Sequence, residues 1–288
     1  MRSKRYRLRQ GQFVNSAPPE LMFVLGAISQ YLGAALAFSL FTELGVSMVA
    51  FLRVTGAAII IITLKRSWKR SFVEIDIYWT AAFGIVLAAM NLCFYLAIDT
   101  LPLGNAVAIE FLGPIAVAAA GQRSLRNILS LAIAAFGVLL LTEVTPDGTL
   151  TGVLFALLAG ALWAFYIILG SKVAVSGAHL DGLGIGMLIG GLAISPTAVG
   201  SLDNLLDYPT LALLALLTGF LANVIPYGID QLVFLRISQS RFAFLQSLLP
   251  ATAMCIGMAA LQQRPSLEEL FGITLIIFAI ALRTREEI

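Results

Sequence analysis

Histidine occurs once in this chain, at His179, and cysteine twice, at Cys93 and Cys255. No CxxC spacing and no ligand-spaced histidines accompany them, and both cysteines fall inside apolar runs, where a thiol packs as a small hydrophobe. A metal centre and a disulfide framework are therefore not expected. HExxH, a Ser/His/Asp set and paired acids at glycosidase spacing are also missing, so nothing here has the form of a catalytic constellation. Charge is scarce as well: Asp, Glu, Lys and Arg make up 12% of the chain, against roughly 25% in a soluble domain. The period-2 alternation of a barrel strand is absent too, which excludes a membrane β-barrel. No cofactor, no metal and no nucleic-acid partner is expected.

What is abundant is apolar sequence, 59% of the residues. A spanning helix needs about 20 such residues, and ten runs qualify: 21–41, 45–64, 77–98, 103–120, 125–142, 150–171, 180–200, 209–233, 242–261 and 269–283. The basic residues fix their orientation. With the N-terminus inside, the inner connections and tails collect Arg2, Lys4, Arg5, Arg7, Arg9, Lys65, Arg66, Lys69, Arg70, Arg123, Arg126, Lys172, Arg236, Arg241, Arg283 and Arg285. Outer connections hold only Arg264 and are otherwise acidic, with Glu43, Asp99, Glu143, Asp147, Asp203 and Asp207. Adding or deleting one span would scramble this division, so the positive-inside rule supports both the count and cytoplasmic termini. The expected protein is an all-α integral membrane protein of ten transmembrane helices, with a lipid bilayer as its surroundings. Residues 1–20 form a basic cytoplasmic tail. A cleaved signal peptide ending at Ala35-Leu36-Ala37 is the competing reading, and the apolar run continuing through Phe41 argues against it.

Polar residues placed deep in these runs mark the candidate site. Glu110 lies four residues before Pro114, and proline has no N–H to offer the carbonyl at i−4. An ionisable side chain and a freed backbone acceptor thus share one turn, and lipid satisfies neither. Arg53 interrupts the second run and needs a partner at that depth. At 1.5 Å per residue it lies about 12 Å below the outer edge, and Glu110 about 10 Å. Equal depth allows an ion pair between them, either within a site or serving only to orient helices. Gln30, Asn91, Tyr95, Trp163, Tyr166, Tyr227 and Gln246 are the other buried polar or amphipathic groups expected to shape a cavity. For Gln30 and the two rings at Trp163 and Tyr166, core packing is the competing reading. Pro196 and Pro226 are expected to break the seventh and eighth spans, with Asn223 beside Pro226.

The second half repeats the first. An offset of 136 residues takes Pro114 to Pro250, Glu110 to Gln246, Asn105 to Arg241 and Pro102 to Ser238. Five spans is an odd number, so the copy enters the membrane from the opposite side, and its hairpin turn accordingly carries Arg236 and Arg241 where the first has Asp99. Residues 21–143 and 149–284 are read as two inverted five-helix repeats, an architecture that places a transport site at the midplane between them. The halves are not chemically alike: Gln246 replaces the carboxylate, and Ile189 stands at the counterpart of Arg53. The glycines at 182, 184, 186, 190 and 191 fall in a span, so they indicate close helix packing and not a nucleotide loop.

Ala88–Ala118, Leu158–Gly170 and the Ser29-Gln30 pair together resemble the drug/metabolite transporter superfamily, EamA-type, in particular the bacterial threonine/homoserine exporters. The resemblance covers nearly all of residues 21–283 and implies two inverted five-helix repeats in a bacterial inner membrane. It also implies outward export of small metabolites, amino acids first among them, driven by an ion gradient. Two positions depart from the family pattern: Leu249 stands where an acidic residue usually precedes the second-half proline, and Gln262-Gln263 where a glutamate usually follows the ninth span. The expected mechanism is alternating access, with a small-molecule substrate and with Glu110 attracting an ammonium or carrying a coupling proton. Broad efflux of drugs or aromatic metabolites is the alternative within the same class. A non-transporting sensor and a membrane enzyme are the alternatives outside it.

Overall fold

The computed structural model describes residues 18–65, 76–121, 124–143, 150–175, 179–234 and 248–282, and the regular structure in them is helical throughout. Helix α1 spans Pro19–Phe38, with proline at its first position, where a missing N–H costs no intrahelical bond. A single turn, α2 (Phe41–Leu44), ends on Gly45, whose φ of 78° requires glycine. Helix α3 spans Val46–Lys65. Helix α4, Ile77–Ile98, starts where the Asp76 carboxylate accepts a hydrogen bond from the Trp79 N–H at 3.3 Å, an N-cap. Phe111 separates α5 (Leu103–Glu110) from α6 (Leu112–Gly121), which contains Pro114. The Ser124 hydroxyl accepts from the Asn127 N–H at 3.2 Å and opens α7, Leu125–Glu143.

The second half begins with α8, Leu150–Val175, and α9, His179–Ala198. Pro196 does not break α9 as expected, because it sits in the last turn, just ahead of a 3-10 turn at Val199–Ser201. After α10 (Leu202–Asp207), α11 (Pro209–Gly219) runs into a π-helical segment, Phe220–Val224, and then into α12, Ile225–Phe234. The last two helices are α13 (Leu248–Leu261) and α14 (Leu267–Leu282). A capping box opens α14: the Glu269 N–H donates to the Ser266 hydroxyl at 3.2 Å, and the Glu269 carboxylate accepts from the Ser266 N–H at 2.7 Å.

Six segments among the described residues are long and apolar enough to cross a membrane: Pro19–Phe38, Val46–Lys65, Ile77–Ile98, Leu150–Gly170, Asp181–Asp207 and Pro209–Ile229. Shorter apolar helices occupy Leu103–Val117, Leu125–Leu140 and Leu248–Leu261. The expected ninth span, 242–261, begins outside the described residues.

Glycine sets how closely these helices approach. Helices α4 and α9 meet where Gly84 faces Gly186 and Gly190, with backbone against backbone and no room for a Cβ. Helix α6 meets α8 in the same way at Gly113 and Gly160. The glycines of the 182–191 stretch thus serve packing, as expected. Helix α1 runs antiparallel to the α11–α12 segment, with Gly33 on Ala222 and Gly26 on Ile229. Helices α7 and α14 pack on each other, joined by the Ser130 hydroxyl donating to the Ala279 carbonyl at 2.5 Å. Large apolar side chains such as Leu25, Ile59, Phe136, Leu192, Leu213 and Phe278 point outward, the surface that lipid solvates.

Candidate functional site

Pro226 builds the centre of the site. Lacking an N–H, it supplies no donor to the carbonyl of Ala222 at i−4, nor to that of Leu221 at i−5, the partner a π-helical turn would use. Side chains from the first half take up both acceptors. The Ser29 hydroxyl on α1 donates to the Leu221 carbonyl at 2.7 Å. Arg53 Nη2 on α3 donates to the Ala222 carbonyl at 3.4 Å. So Pro226 does not cut the span, as expected from the sequence, but turns it into a π-helical defect with two acceptors facing the neighbouring helices.

Arg53 is buried, with 4% of its surface exposed, and its strongest bond runs from Nε to the Asn223 Oδ1 at 2.7 Å. Its guanidinium carbon stands 4.7 Å from the centroid of the Tyr95 ring, a cation–π contact. Helices α3 and α4 and the π segment therefore converge on one cation. The Arg53–Glu110 ion pair that similar depth allowed does not form: Arg53 binds Asn223 and Ala222, and no carboxylate lies within 4 Å of it among the described residues. Depth placed the two charges at one level, but the helix packing gave the arginine a neutral amide.

Glu110, 8% exposed, ends α5. Its carboxylate is within electrostatic reach of Tyr31, Cys93 and Arg53. The Glu110 carbonyl freed by Pro114 is not open to a ligand. It abuts Gly160 of α8, where a Cβ would lie 2.6 Å from the oxygen. The break at Pro114 thus serves close helix packing, while the break at Pro226 serves the arginine.

The remaining expected residues fall around these two charges. Asn91 is buried, and its amide donates to the Leu87 carbonyl one turn back at 2.8 Å. The Trp163 ring packs edge-on to Phe111 at 4.8 Å, next to Glu110. Tyr166 stacks on Phe83 at 5.0 Å and stands 6.2 Å from Tyr227, which draws α4, α8 and α12 together. Gln30 is half-buried on α1 beside Ser29 and makes no hydrogen bond to the described residues. Pro114 and Pro250 are both buried. Gln246 lies outside the described residues. Asn223 was noted beside Pro226 without being counted in the site; the signal that would have found it is an amide three residues before a mid-span proline.

A second polar cluster lies at the other end of α5. Asn105 Nδ2 donates to the Glu269 carboxylate at 2.5 Å, and the Leu103 N–H, an orphan donor of the helix start, donates to the Gln263 Oε1 at 3.1 Å. Gln263, one of the two departures from the family pattern, therefore caps α5.

Apolar helices around a buried polar centre that holds a cation and a carboxylate define a multi-pass membrane protein. Residues 150–285 match the EamA-like transporter family. The threonine/homoserine exporter RhtA of Salmonella typhimurium (strain LT2) is 32% identical over 243 residues, 83% of this chain and 82% of that protein. The protein of the same description from Escherichia coli (strain K12) is 31% identical over 264 residues, 91% of this chain and 89% of that one. One solved crystal structure shares the fold, with a TM-score of 0.53 at 15% identity over 90% of this chain and 97% of that chain. The chain belongs to the EamA-like transporter family and is a multi-pass inner-membrane exporter.

Proposed function

We propose that this transporter exports small amino acids resembling threonine and homoserine across the bacterial inner membrane. It does so by alternating access between two inverted five-helix repeats, with both termini in the cytoplasm. The observation that carries this reading is the Arg53 junction, where a charge from the first half is held by Asn223 and Ala222 of the second. A site built from both halves changes when the halves move.

The packing supports the repeat. Under the 136-residue offset, α1 corresponds to α8, α3 to α9, α4 to the α11–α12 segment, α6 to α13 and α7 to α14. Helix α4 packs on α8, and its counterpart α12 packs on α1; α4 packs on α9, and its counterpart α11 packs on α3. The pairs α3 with α9 and α7 with α14 map onto themselves, as a pseudo-two-fold axis requires. The contact at Gly170 and Phe83 falls within a turn of the position that Gly33 and Ala222 map to.

Glu110 is the coupling group in this reading. It is a buried carboxylate without a salt bridge to any described residue, with Arg53 in electrostatic reach, so its proton occupancy depends on what enters the site. Gln30, Asn91, Tyr95, Trp163, Tyr166 and Tyr227 line the route, and Pro114 and Pro250 shape the helices on either side. The test is transport by the purified chain in proteoliposomes under an imposed pH gradient. Labelled L-threonine or L-homoserine should accumulate, and Glu110→Gln should abolish gradient-driven accumulation while sparing exchange at equal pH. If neither amino acid moves in the wild type, the exporter reading is wrong; if Glu110→Gln accumulates normally, Glu110 is not the coupling group. The ring series Phe83, Tyr166 and Tyr227 favours a second reading, efflux of aromatic compounds. Growth protection against a panel of aromatic antimetabolites separates the two.

A further inference from the structure

Three buried donors around Arg53 have no acceptor among the described residues: Arg53 Nη1, Asn223 Nδ2 and the Tyr95 hydroxyl. Their residues are 4%, 0% and 0% exposed. They belong to one locus, because the Nε–Oδ1 bond ties amide to guanidinium at 2.7 Å and the guanidinium lies over the Tyr95 ring. The Thr218 hydroxyl, which donates to the Ala215 carbonyl at 2.6 Å, and the Arg53 guanidinium both stand near the Tyr95 hydroxyl, but neither forms a hydrogen bond with it. Buried polar groups of a folded protein are almost always paired, so an orphaned trio at one spot needs a ligand to complete it.

The chemistry of the trio specifies that ligand. All three can donate, one carries a full positive charge, and no carboxylate lies within 4 Å of Arg53 among the described residues. A planar anion with two acceptor oxygens fits a guanidinium edge flanked by an amide N–H and a phenol O–H. The 3.4 Å bond from Arg53 Nη2 to Ala222 is the longest in the cluster and the one that yields most readily. We propose that Arg53, Asn223 and Tyr95 form a subsite for the substrate's carboxylate, leaving Glu110 to face its ammonium. This rests on the exporter reading and narrows its substrate class to amino acids with a free carboxylate, excluding the corresponding amides, esters and amines.

The experiment measures exchange of labelled L-threonine by the full chain in proteoliposomes against unlabelled L-threonine, its amide, its methyl ester and 1-aminopropan-2-ol, in chloride and in gluconate buffers. In the wild type, the three analogues should compete at least about tenfold more weakly than threonine, a difference of about 1.4 kcal/mol. Arg53→Lys should abolish most of that discrimination. Tyr95→Phe keeps the ring under the guanidinium and loses only the hydroxyl, so it should weaken threonine by about three- to tenfold and leave the amide unaffected. Wild-type ratios of acid to amide in both variants, each monodisperse in detergent, would overturn the subsite while leaving the exporter reading intact. Sensitivity to chloride without acid-to-amide discrimination would instead assign the trio to an inorganic anion and overturn it too. Absence of threonine exchange in the wild type removes the exporter reading, and this subsite with it.

Discussion

Replacing glycine by alanine should have opposite consequences at two helical positions of this protein, and the difference follows from what a single methyl group meets. At Gly160 in α8, a Cβ would lie 2.6 Å from the Glu110 carbonyl oxygen, 3.2 Å from its carbon and 3.3 Å from its Cα. These are backbone atoms, which no rotamer change moves aside, so α8 and the end of α5 must separate by several tenths of an ångström. Overpacking of this kind costs roughly 1–3 kcal/mol, offset by up to about 1 kcal/mol from the better helix propensity of alanine. The net expectation for Gly160→Ala is a loss of about 1–2 kcal/mol. At Gly228 in α12, a Cβ meets nothing within 4 Å. Only the propensity term remains, and Gly228→Ala should stabilise by about 0.5–1 kcal/mol. Thermal melts of the two variants in the same detergent should therefore shift by a few degrees in opposite directions. The residue displaced in the first case is Glu110 itself, so Gly160→Ala should also lower gradient-driven transport more than its yield explains. Shifts of the same sign in both variants would refute the assignment of the α5–α8 contact as backbone-tight.

Other expectations follow from individual contacts. Ser29→Ala leaves the Leu221 carbonyl without its donor and should cost about 1–2 kcal/mol; in a Pro226→Ala background, where residue 226 supplies an N–H, a double-mutant cycle should show that cost largely gone. Asn105→Leu strands one oxygen of the buried Glu269 and should destabilise by about 1–3 kcal/mol, with Asn105→Asp worse still because it sets two carboxylates together; detergent melts measure both. Asp99→Cys, in a chain whose Cys93 and Cys255 are replaced by alanine, should react in whole cells with a membrane-impermeant thiol reagent, because Asp99 is exposed at the turn expected to face outward. Labelling only after the cells are broken would reverse the proposed orientation.

The class of this protein was legible in its sequence because class depends on quantities that sum along a chain: apolar length, charge scarcity and the side on which basic residues gather. The need of Arg53 for a buried partner was legible for the same reason, since depth is a count of residues. Who that partner is was not, because depth carries no information about azimuth. Two helices at one level face each other only if their small residues allow it, and that depends on Gly219 lying against the Arg53 backbone and on Gly33 against Ala222. The fate of the two freed carbonyls was hidden similarly. Pro114 and Pro226 each free the carbonyl at i−4, yet one such carbonyl faces a glycine on α8 and the other an arginine on α3. Asn223 escaped selection because an amide beside a proline reads as ordinary turn chemistry until a guanidinium is placed against it. The asymmetry between Glu110 and Gln246 was visible at once, because it is a matter of residue identity alone.

The lodging of Arg53 on the Pro226 defect bears on how the chain is made. Ribosomes deliver the first half well before residues 222 and 223 exist, so the newly inserted α3 carries a cation that has the Tyr95 ring beside it and neither of its hydrogen-bond acceptors. The arginine gains its neutral acceptors when the α11–α12 segment arrives, and the second half then acts as an internal chaperone for the first. Split between the two halves and co-expressed, the protein should reassemble, while the amino-terminal fragment alone should be cleared by the cell's membrane proteases.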